Sequence, residues 1–454
     1  MLEVIILAAG EGKRMNSSRP KVLQPIGGRP MIEHLLDAVA SLDPARIHVI
    51  VGAGAERVKE ALAGRDCQFV EQTRRLGTGH AAAQALPGID RSARVLILPG
   101  DMPLVRPQTL ADLVAVKAEL AVLSFRAPDP TGYGRILRDG QGGVRAIREE
   151  KDASAEERAV NEVNSGVLCS GAGDIADWLA QVSADNAQGE YYLTDCIGIA
   201  AEADCRVEAL VAEDAGELIG ANDRAQLAAL ERVFQQRARN ELMASGATLA
   251  DPDSVQIRGR VKVGQDVTID VNVILEGDIV LGDNVEIGPG CVLTDCDLAA
   301  GTCLKPYSVL ESVRTTGACD IGPFARLRPG TELAEGVKIG NFVEIKNARF
   351  GAGAKASHLS YVGDAEIGEA ANLGAGTITC NYDGVNKHRT VIGAEAFIGS
   401  NTSLVAPVQV GAGATVGAGS VLTQNAPEGQ LTLARTRQRT IDGWKRPTKK
   451  SGSD

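Results

Sequence analysis

Aliphatic residues return every six positions between about 255 and 422 of the chain, and this beat predicts the architecture of its second half. Two series interleave at the start: Val261, Val267, Val273, Ile279 and Val285 form one, and Ile257, Val263, Ile269, Leu275, Leu281, Ile287 and Leu293 the other. Ile321, Leu327, Leu333, Ile339 and Ile345 carry the beat on, followed by Ile392, Ile398, Leu404, Val410, Val416 and Leu422. A unit this short cannot bury its own apolar face and must stack on copies of itself. Only short strands and turns fit it. Gly288, Gly290, Gly411, Gly413, Gly417 and Gly419 fall between the aliphatics, where tight turns favour positive φ. The expectation is a parallel β-helix.

The first half follows a different rhythm. Val4–Leu7, Ile47–Val51 and Arg94–Leu98 read as buried strands, with helical segments near 30–40, 56–63 and 79–85 between them. Strands alternating with helices predict a parallel sheet whose functional groups sit at the strand C-termini. Between the halves, Leu227, Leu230, Phe234, Ala238 and Leu242 recur at helical spacing over Asp223–Ala244, and Gly246 can close the helix. The expected division is 1–225, a linker helix over 226–246, and a β-helix over 247–454. A chain of 454 residues is indeed too long for one ordinary core.

Composition narrows the partners. The net charge of −11 disfavours nucleic acid or an anionic membrane as the main partner. No apolar run reaches transmembrane length, and Glu3 interrupts the run from Leu2 to Gly10 that most resembles a signal segment. A cytoplasmic protein is expected. Its nine cysteines include no CxxC pair, and Cys291, Cys303 and Cys319 sit within the repeat as small hydrophobes, so reduced thiols are expected.

Candidate chemistry then falls in two places. The first strand ends at Ala8-Ala9-Gly10-Glu11-Gly12, where backbone N–H groups can surround an anion, and Arg14 and Lys21 add positive charge. A plain strand-to-helix turn is the competing reading, because the glycines match neither the Walker A nor the Rossmann spacing. The strand over 94–98 delivers Gly100-Asp101; facing a phosphate, that carboxylate is a candidate Mg²⁺ ligand. In the repeat, Arg328, Lys346 and His358 are offset by multiples of six and can fall near one edge of neighbouring coils. Two cations suit a sugar phosphate, and a histidine suits deprotonation of an ammonium near neutral pH. Residues 379–390 form a polar insertion holding Asn381-Tyr382.

These residues carry a resemblance. The repeat is similar to the left-handed hexapeptide-repeat family, whose three-sided coils take about eighteen residues, so roughly nine coils would fit. Leu7-Ala8-Ala9-Gly10-x-Gly12-x-Arg14-Met15, Pro20-Lys21-Val22-Leu23, Leu76-Gly77-Thr78-Gly79-His80, Gly100-Asp101-x-Pro103 and Gly132-Tyr133-Gly134-Arg135 resemble the sugar-nucleotide pyrophosphorylases. Together with the repeat, the chain resembles the bacterial bifunctional family that combines N-acetylglucosamine-1-phosphate uridylyltransferase with glucosamine-1-phosphate N-acetyltransferase.

The resemblance implies a Rossmann-like nucleotidyltransferase domain followed by a left-handed β-helix, and it assigns roles. Leu7, Ala8, Ala9, Gly10, Gln72, Gly77 and Thr78 would hold the uracil and ribose of UTP; Gly134, Glu149 and Asn164 the N-acetyl sugar. Asp101, with Gly100 before it, and Asn222 would ligate Mg²⁺, while Arg14 and Lys21 neutralise the triphosphate. Pro99 stands where the family usually has an aromatic, so sugar or base affinity is expected to differ while catalysis survives. Asn222 can also cap the next helix. In the repeat, Arg328, Lys346, Tyr361 and Asn372 would bind glucosamine 1-phosphate, His358 would be the general base, and Ala375, Asn381, Tyr382, Ser400, Ala418 and Arg435 would contact acetyl-CoA. The family assembles as a homotrimer with these sites between chains, and a basic tail holding Lys445, Arg446, Lys449 and Lys450 packs on a neighbour.

Three alternatives stand beside this one. The β-helix could only regulate or trimerise a pyrophosphorylase; the chain could be a purely structural solenoid, which leaves the N-terminal motifs unexplained; or it could be a zinc hydratase, for which the repeat offers His358 and His388 where three imidazoles are needed.

Overall fold

The computed structural model describes residues 1–10 and 12–447, so Glu11, Lys449 and Lys450 lie outside the described residues. The chain divides into two compact units, Met1–Ala238 and Arg239–Asp454.

The first unit is built on strands β1 (Leu2–Leu7), β2 (Arg46–Val51), β3 (Gln68–Glu71), β4 (Arg94–Pro99), β5 (Leu120–Arg126), the hairpin β6 (Arg135–Arg138) and β7 (Val144–Arg148), β8 (Glu162–Gly171) and β9 (Val207–Val211). They form one nine-stranded sheet of order β9-β5-β8-β4-β1-β2-β3, with the hairpin joined to β8. The first four strands pair in parallel, as their alternation with helices predicts. β8 runs antiparallel between β4 and β5, so the sheet as a whole is mixed. Val4, Ile6, Leu96 and Leu98 pack on one face under helix α1 (Met31–Ala40). Ile5, Val95 and Ile97 pack on the other, under α2 (Thr78–Ala83) and α3 (Asp195–Glu202). Burial on both faces explains why β1 and β4 read as unbroken apolar runs rather than alternating ones.

Helix α4 spans Arg224–Ala244. In the first unit its Leu230 and Phe234 join Ile26 and Met31 in a separate apolar cluster. In the second unit Arg239 donates to the Pro252 carbonyl and the Asp253 carboxylate, at 2.7 and 2.8 Å.

The second unit is a parallel β-helix. Among the described residues its strands form ladders of 11 and 15 members. Gln256 pairs with Ile274 and Ile274 with Val292, steps of 18 residues. Other coils are shorter: Asn341 lies 17 residues from its register partner His358. The rungs outnumber the nine coils expected because the first ladder already begins at Ala247 and runs to Thr432, past both ends of the aliphatic beat. The residues of that beat are buried, except that Val261 and Val263 are half-buried. Among the described residues their strand, Gln256–Val263, pairs only with Ile274–Leu281, which leaves Val261 and Val263 short of a neighbour, although Ile257 of the same strand is buried.

Turns are less dependent on glycine than expected. Gly290, Gly413 and Gly419 have positive φ, but so do Asp266, Asn272, Asn284, Tyr307, Phe324, Phe342 and Leu359. Asn and Asp tolerate that region through local hydrogen bonding. Tyr307, Phe324 and Phe342 instead stack on one another, with successive centroids 5.3 Å apart. The cysteines are all free thiols, and burial pushes Cys291, Cys296 and Cys319 up to about 11.

Candidate active sites

In the first unit the C-terminal ends of β1 to β4 converge. The N–H of Gly100 donates to the Leu7 carbonyl, that of Ala8 to Ile50, and that of Gln72 to Val51. Above them opens a cavity of about 420 Å³. Leu7, Ala8, Ala9, Gly10, Lys21, Gln72, Gly77, Thr78, Pro99, Asp101, Glu149 and Asn164 all line it. Segments far apart in sequence meet there because parallel strands deliver their loops to one edge. Gly134 borders the cavity through Glu149, since a Cβ on it would lie 3.3 Å from Glu149 Oε1. Gly100 is wedged under β1, where an added Cβ would sit 3.0 Å from the Leu7 carbonyl. Arg14 is exposed on the short 3₁₀ turn Lys13–Met15 and does not line the cavity.

The charged end is organised by Lys21. Its Nζ donates to Asp101 Oδ2 at 2.5 Å and to Asn222 Oδ1 at 3.0 Å. Two oxygens that converge on one ammonium form the hard donor set that suits Mg²⁺, so these side chains fit such an ion. Asn222 thus reaches the charged end of the cavity through its contact with Lys21, while its N–H is held by Gln226 Oε1. At the opposite end, burial raises the carboxyl of Glu149 above its usual range, Asp195 and Asp152 add to this, and a hydrogen bond from Thr194 opposes it.

The loop over 72–80 depends on glycine. Gly77 has φ +114°, and a Cβ there would lie 2.4 Å from the Tyr191 carbonyl. Pro99 packs over Gly166, which has φ +85° and whose added Cβ would meet Pro99 Cγ at 2.9 Å. Arg75, Gly166, Glu190, Leu193, Thr194 and Ile197 also line the cavity and were not expected from sequence. A signal existed for Thr194 and its neighbours in the polar and aromatic run Glu190-Tyr191-Tyr192-Leu193-Thr194 just before α3, but it has no periodicity.

The second unit holds another constellation. Arg328 donates its N–H to the Ile345 carbonyl, so it stacks beside Lys346, which in turn pairs in register with Gly363. Lys387 and then Arg328 push the Lys346 ammonium below its usual range, which marks a concentration of positive charge. Arg328 also pairs with Glu344 at 2.8 Å. Gly363 makes room for two functional side chains: an added Cβ would lie 2.5 Å from the Tyr361 hydroxyl and 2.9 Å from Asn381 Nδ2.

His358 does not join the Arg328–Lys346 column. Its register partner is Asn341, because an offset of 12 residues is two sides of a three-sided coil and so leads to a different side. The column it belongs to is nevertheless informative. The carbonyls of Asn341, His358, Ala375 and Ser400 accept from the N–H groups of Leu359, Gly376, Asn401 and Gly419, so Asn341, His358, Ala375, Ser400 and Ala418 fall at matching positions of successive coils, and Arg435 reaches the Ala418 carbonyl at 2.8 Å. Asn372 lies on the same ladder, between Lys355 and Phe397.

The polar insertion occupies one enlarged coil. Asn372 pairs with Phe397 and Ile378 with Ser403, steps of 25 residues, so the insertion leaves and re-enters without shifting the ladder. Asp364 anchors it, accepting from Asn347 at 2.6 Å and Asn381 at 2.5 Å. Tyr382 is exposed, and His388 is engaged by Asp383 at 2.7 Å. Lys387, carried on this loop, escaped sequence reasoning because the loop interrupts the beat.

Residues 4–159 match the MobA-like NTP transferase domain, and 260–295 and 389–424 match the bacterial transferase hexapeptide repeat. The chain is 57% identical to the bifunctional protein GlmU of Stenotrophomonas maltophilia (strain K279a), covering 99% of each chain. It is 55% identical to that of Stutzerimonas stutzeri (strain A1501), covering 99% of this chain and all of the relative. With that of Aromatoleum aromaticum (strain DSM 19018 / LMG 30748 / EbN1) it shares 52% over the full length of both. A nucleotidyltransferase unit and a hexapeptide unit in one chain, matched end to end, place this protein in the GlmU family of bifunctional proteins.

Proposed function

We propose that the protein makes UDP-N-acetylglucosamine in two reactions, one in each unit: acetyl transfer from acetyl-CoA to glucosamine 1-phosphate, then uridylyl transfer from UTP with release of pyrophosphate. The observation that carries the reading is the assembly of residues from four separated motifs around one cavity in the first unit; in the second, the gathered cations Arg328, Lys346 and Lys387 and, on another side of the coil, His358 supply the groups for a second reaction.

In the first unit, the β1 turn, Gln72 and Gly77-Thr78 would hold the nucleoside, and Glu149, Asn164 and the apolar floor of Val122, Leu168 and Ile197 the N-acetyl sugar. Asp101 and Asn222 would hold Mg²⁺, which supplies neutralisation of phosphate charge when bound. Lys21 is placed to turn its ammonium to phosphate oxygens as negative charge gathers on the departing pyrophosphate, and Arg14 would approach from the exposed side. Attack by the sugar-phosphate oxygen on the α-phosphorus then needs no protein nucleophile.

In the second unit, Arg328, Lys346 and the loop residue Lys387 would take the phosphate of glucosamine 1-phosphate, with Tyr361 and Asn372 beside them. His358 would receive the amine proton. Acetyl-CoA would follow the column through Ala375, Ser400 and Ala418 to Arg435, with Asn381-Tyr382 alongside. Exposed Tyr307, Phe324, Phe342 and Leu359 support burial of this corner between copies, as the homotrimer implied by the family resemblance would require. Among the described residues no helix is long and apolar enough to cross a membrane.

The test is a coupled assay with glucosamine 1-phosphate, acetyl-CoA, UTP and Mg²⁺ that follows free thiol and pyrophosphate separately. Release of both is expected. Pyrophosphate released only when N-acetylglucosamine 1-phosphate is supplied ready-made would reduce the β-helix to a scaffold.

A further inference from the structure

Two histidines of the β-helix unit are held by side-chain oxygens of different kinds. His388 Nε2 lies 2.7 Å from the carboxylate of Asp383, whereas His358 Nδ1 lies 2.8 Å from the amide oxygen of Asn341. Asn341 ends the strand Lys338–Asn341 and pairs in register with His358, the last residue of Lys355–His358, so the ladder itself sets their separation. An amide oxygen can only accept, so the neutral ring it meets carries its proton on Nδ1 and presents a bare Nε2.

We propose that Asn341 is a positioning residue for acetyl transfer: it fixes His358 in the Nδ1–H tautomer and aims Nε2 at the substrate amine. The inference rests on the reading of His358 as the base. In the step it serves, the substrate nitrogen bonds to the thioester carbonyl carbon and its proton passes to Nε2. The C–S bond breaks, and the proton follows to the leaving thiolate. A neutral partner suits this work. A carboxylate at position 341 would favour the imidazolium, and a ring already protonated cannot take a proton. Of the charges on the strand that follows, Glu344 is engaged by Arg328 at 2.8 Å, while Lys346 stands beside the like charge of Lys387.

Two measurements on the full-length protein test this. In ¹⁵N-histidine spectra, with the His358 signals assigned by their loss in His358→Gln, a protonated Nδ1 and a bare Nε2 are expected; a proton on Nε2 overturns the proposal. In thiol-release assays across pH, Asn341→Ala should lower kcat about ten- to a hundredfold while KM for both substrates stays within about threefold. Asn341→Asp should move the acid limb of kcat/KM to higher pH by about one unit. A purely structural role would leave that limb in place, and an unmoved limb overturns the inference. Uridylyl transfer by the same preparations, catalysed in the other unit, reports their integrity. Acetyl transfer retained by His358→Ala overturns the base and its partner together; an inactive His358→Ala beside fully active Asn341 variants overturns the partner alone.

Discussion

Individual side chains divide cleanly between the two proposed reactions. Asp101 shares an ammonium with Asn222 in the first unit, and His358 sits on a coil of the second, so each should fail alone. With each reaction assayed on its own substrates, N-acetylglucosamine 1-phosphate being supplied ready-made for the second, Asp101→Ala is expected to lower pyrophosphate release at least about a hundredfold and leave thiol release intact, with His358→Ala giving the reverse. Loss of both activities in either variant, with the fold intact by circular dichroism, would refute two independent sites. Glu149 offers a stability test. Burial raises its carboxyl, so its ionisation in the folded chain costs stability. That cost is absent below the unfolded pKa of about 4.3 and grows as pH rises through the higher folded value. Glu149→Gln should therefore match the parent Tm at pH 4 and exceed it by about 2 °C at pH 8. Equal differences at both pH values would contradict the assignment.

Elements differ in how openly the sequence announces them. The β-helix was legible because burial acts on the same positions of every rung: Ile339 and Ile345 are buried for the same reason as Ile321 and Leu327. The strand ends around the 420 Å³ cavity were legible through Gly10 and Gly12 after β1 and Gly100-Asp101 after β4, whereas Gly77, with φ +114°, came only with the family resemblance. What stayed hidden has no period. Thr194, Gly166 and Lys387 act from irregular segments, and the shortening of coils from 18 to 17 residues shows only as single-residue slips in the aliphatic series, such as the step of five residues from Leu293 to Leu298. The inserted loop yields a prediction of its own. Asp364 accepts from Asn347 and Asn381 at once, so Asp364→Ala should loosen the loop and raise KM for acetyl-CoA about tenfold, since two charge-assisted hydrogen bonds are lost. Uridylyl transfer should not change; an unaltered KM would detach the loop from acetyl-CoA.

At the scale of the molecule, one corner of the β-helix is too apolar for water. Tyr307, Phe324 and Phe342 stack in a row yet are 56, 47 and 56% exposed, and Leu359 extends the row at 62%. If neighbouring copies cover it, Phe324→Glu should convert three-chain particles to single chains in light scattering and remove acetyl transfer with them. A variant that remains trimeric would place the contact elsewhere. The column beginning at Asn341 has a consequence of another kind. Strands in a ladder lie about 4.8 Å apart, so the four steps from Asn341 through His358 to Ala418 measure about 19 Å, the reach of a long flexible thioester arm. The ladder is thus a ruler with the proposed base near one end and the Arg435 cation at the other. Its graduations are set by the backbone, so side chains can be exchanged along it without altering the length it measures, whereas removing one whole coil shortens it by a full division.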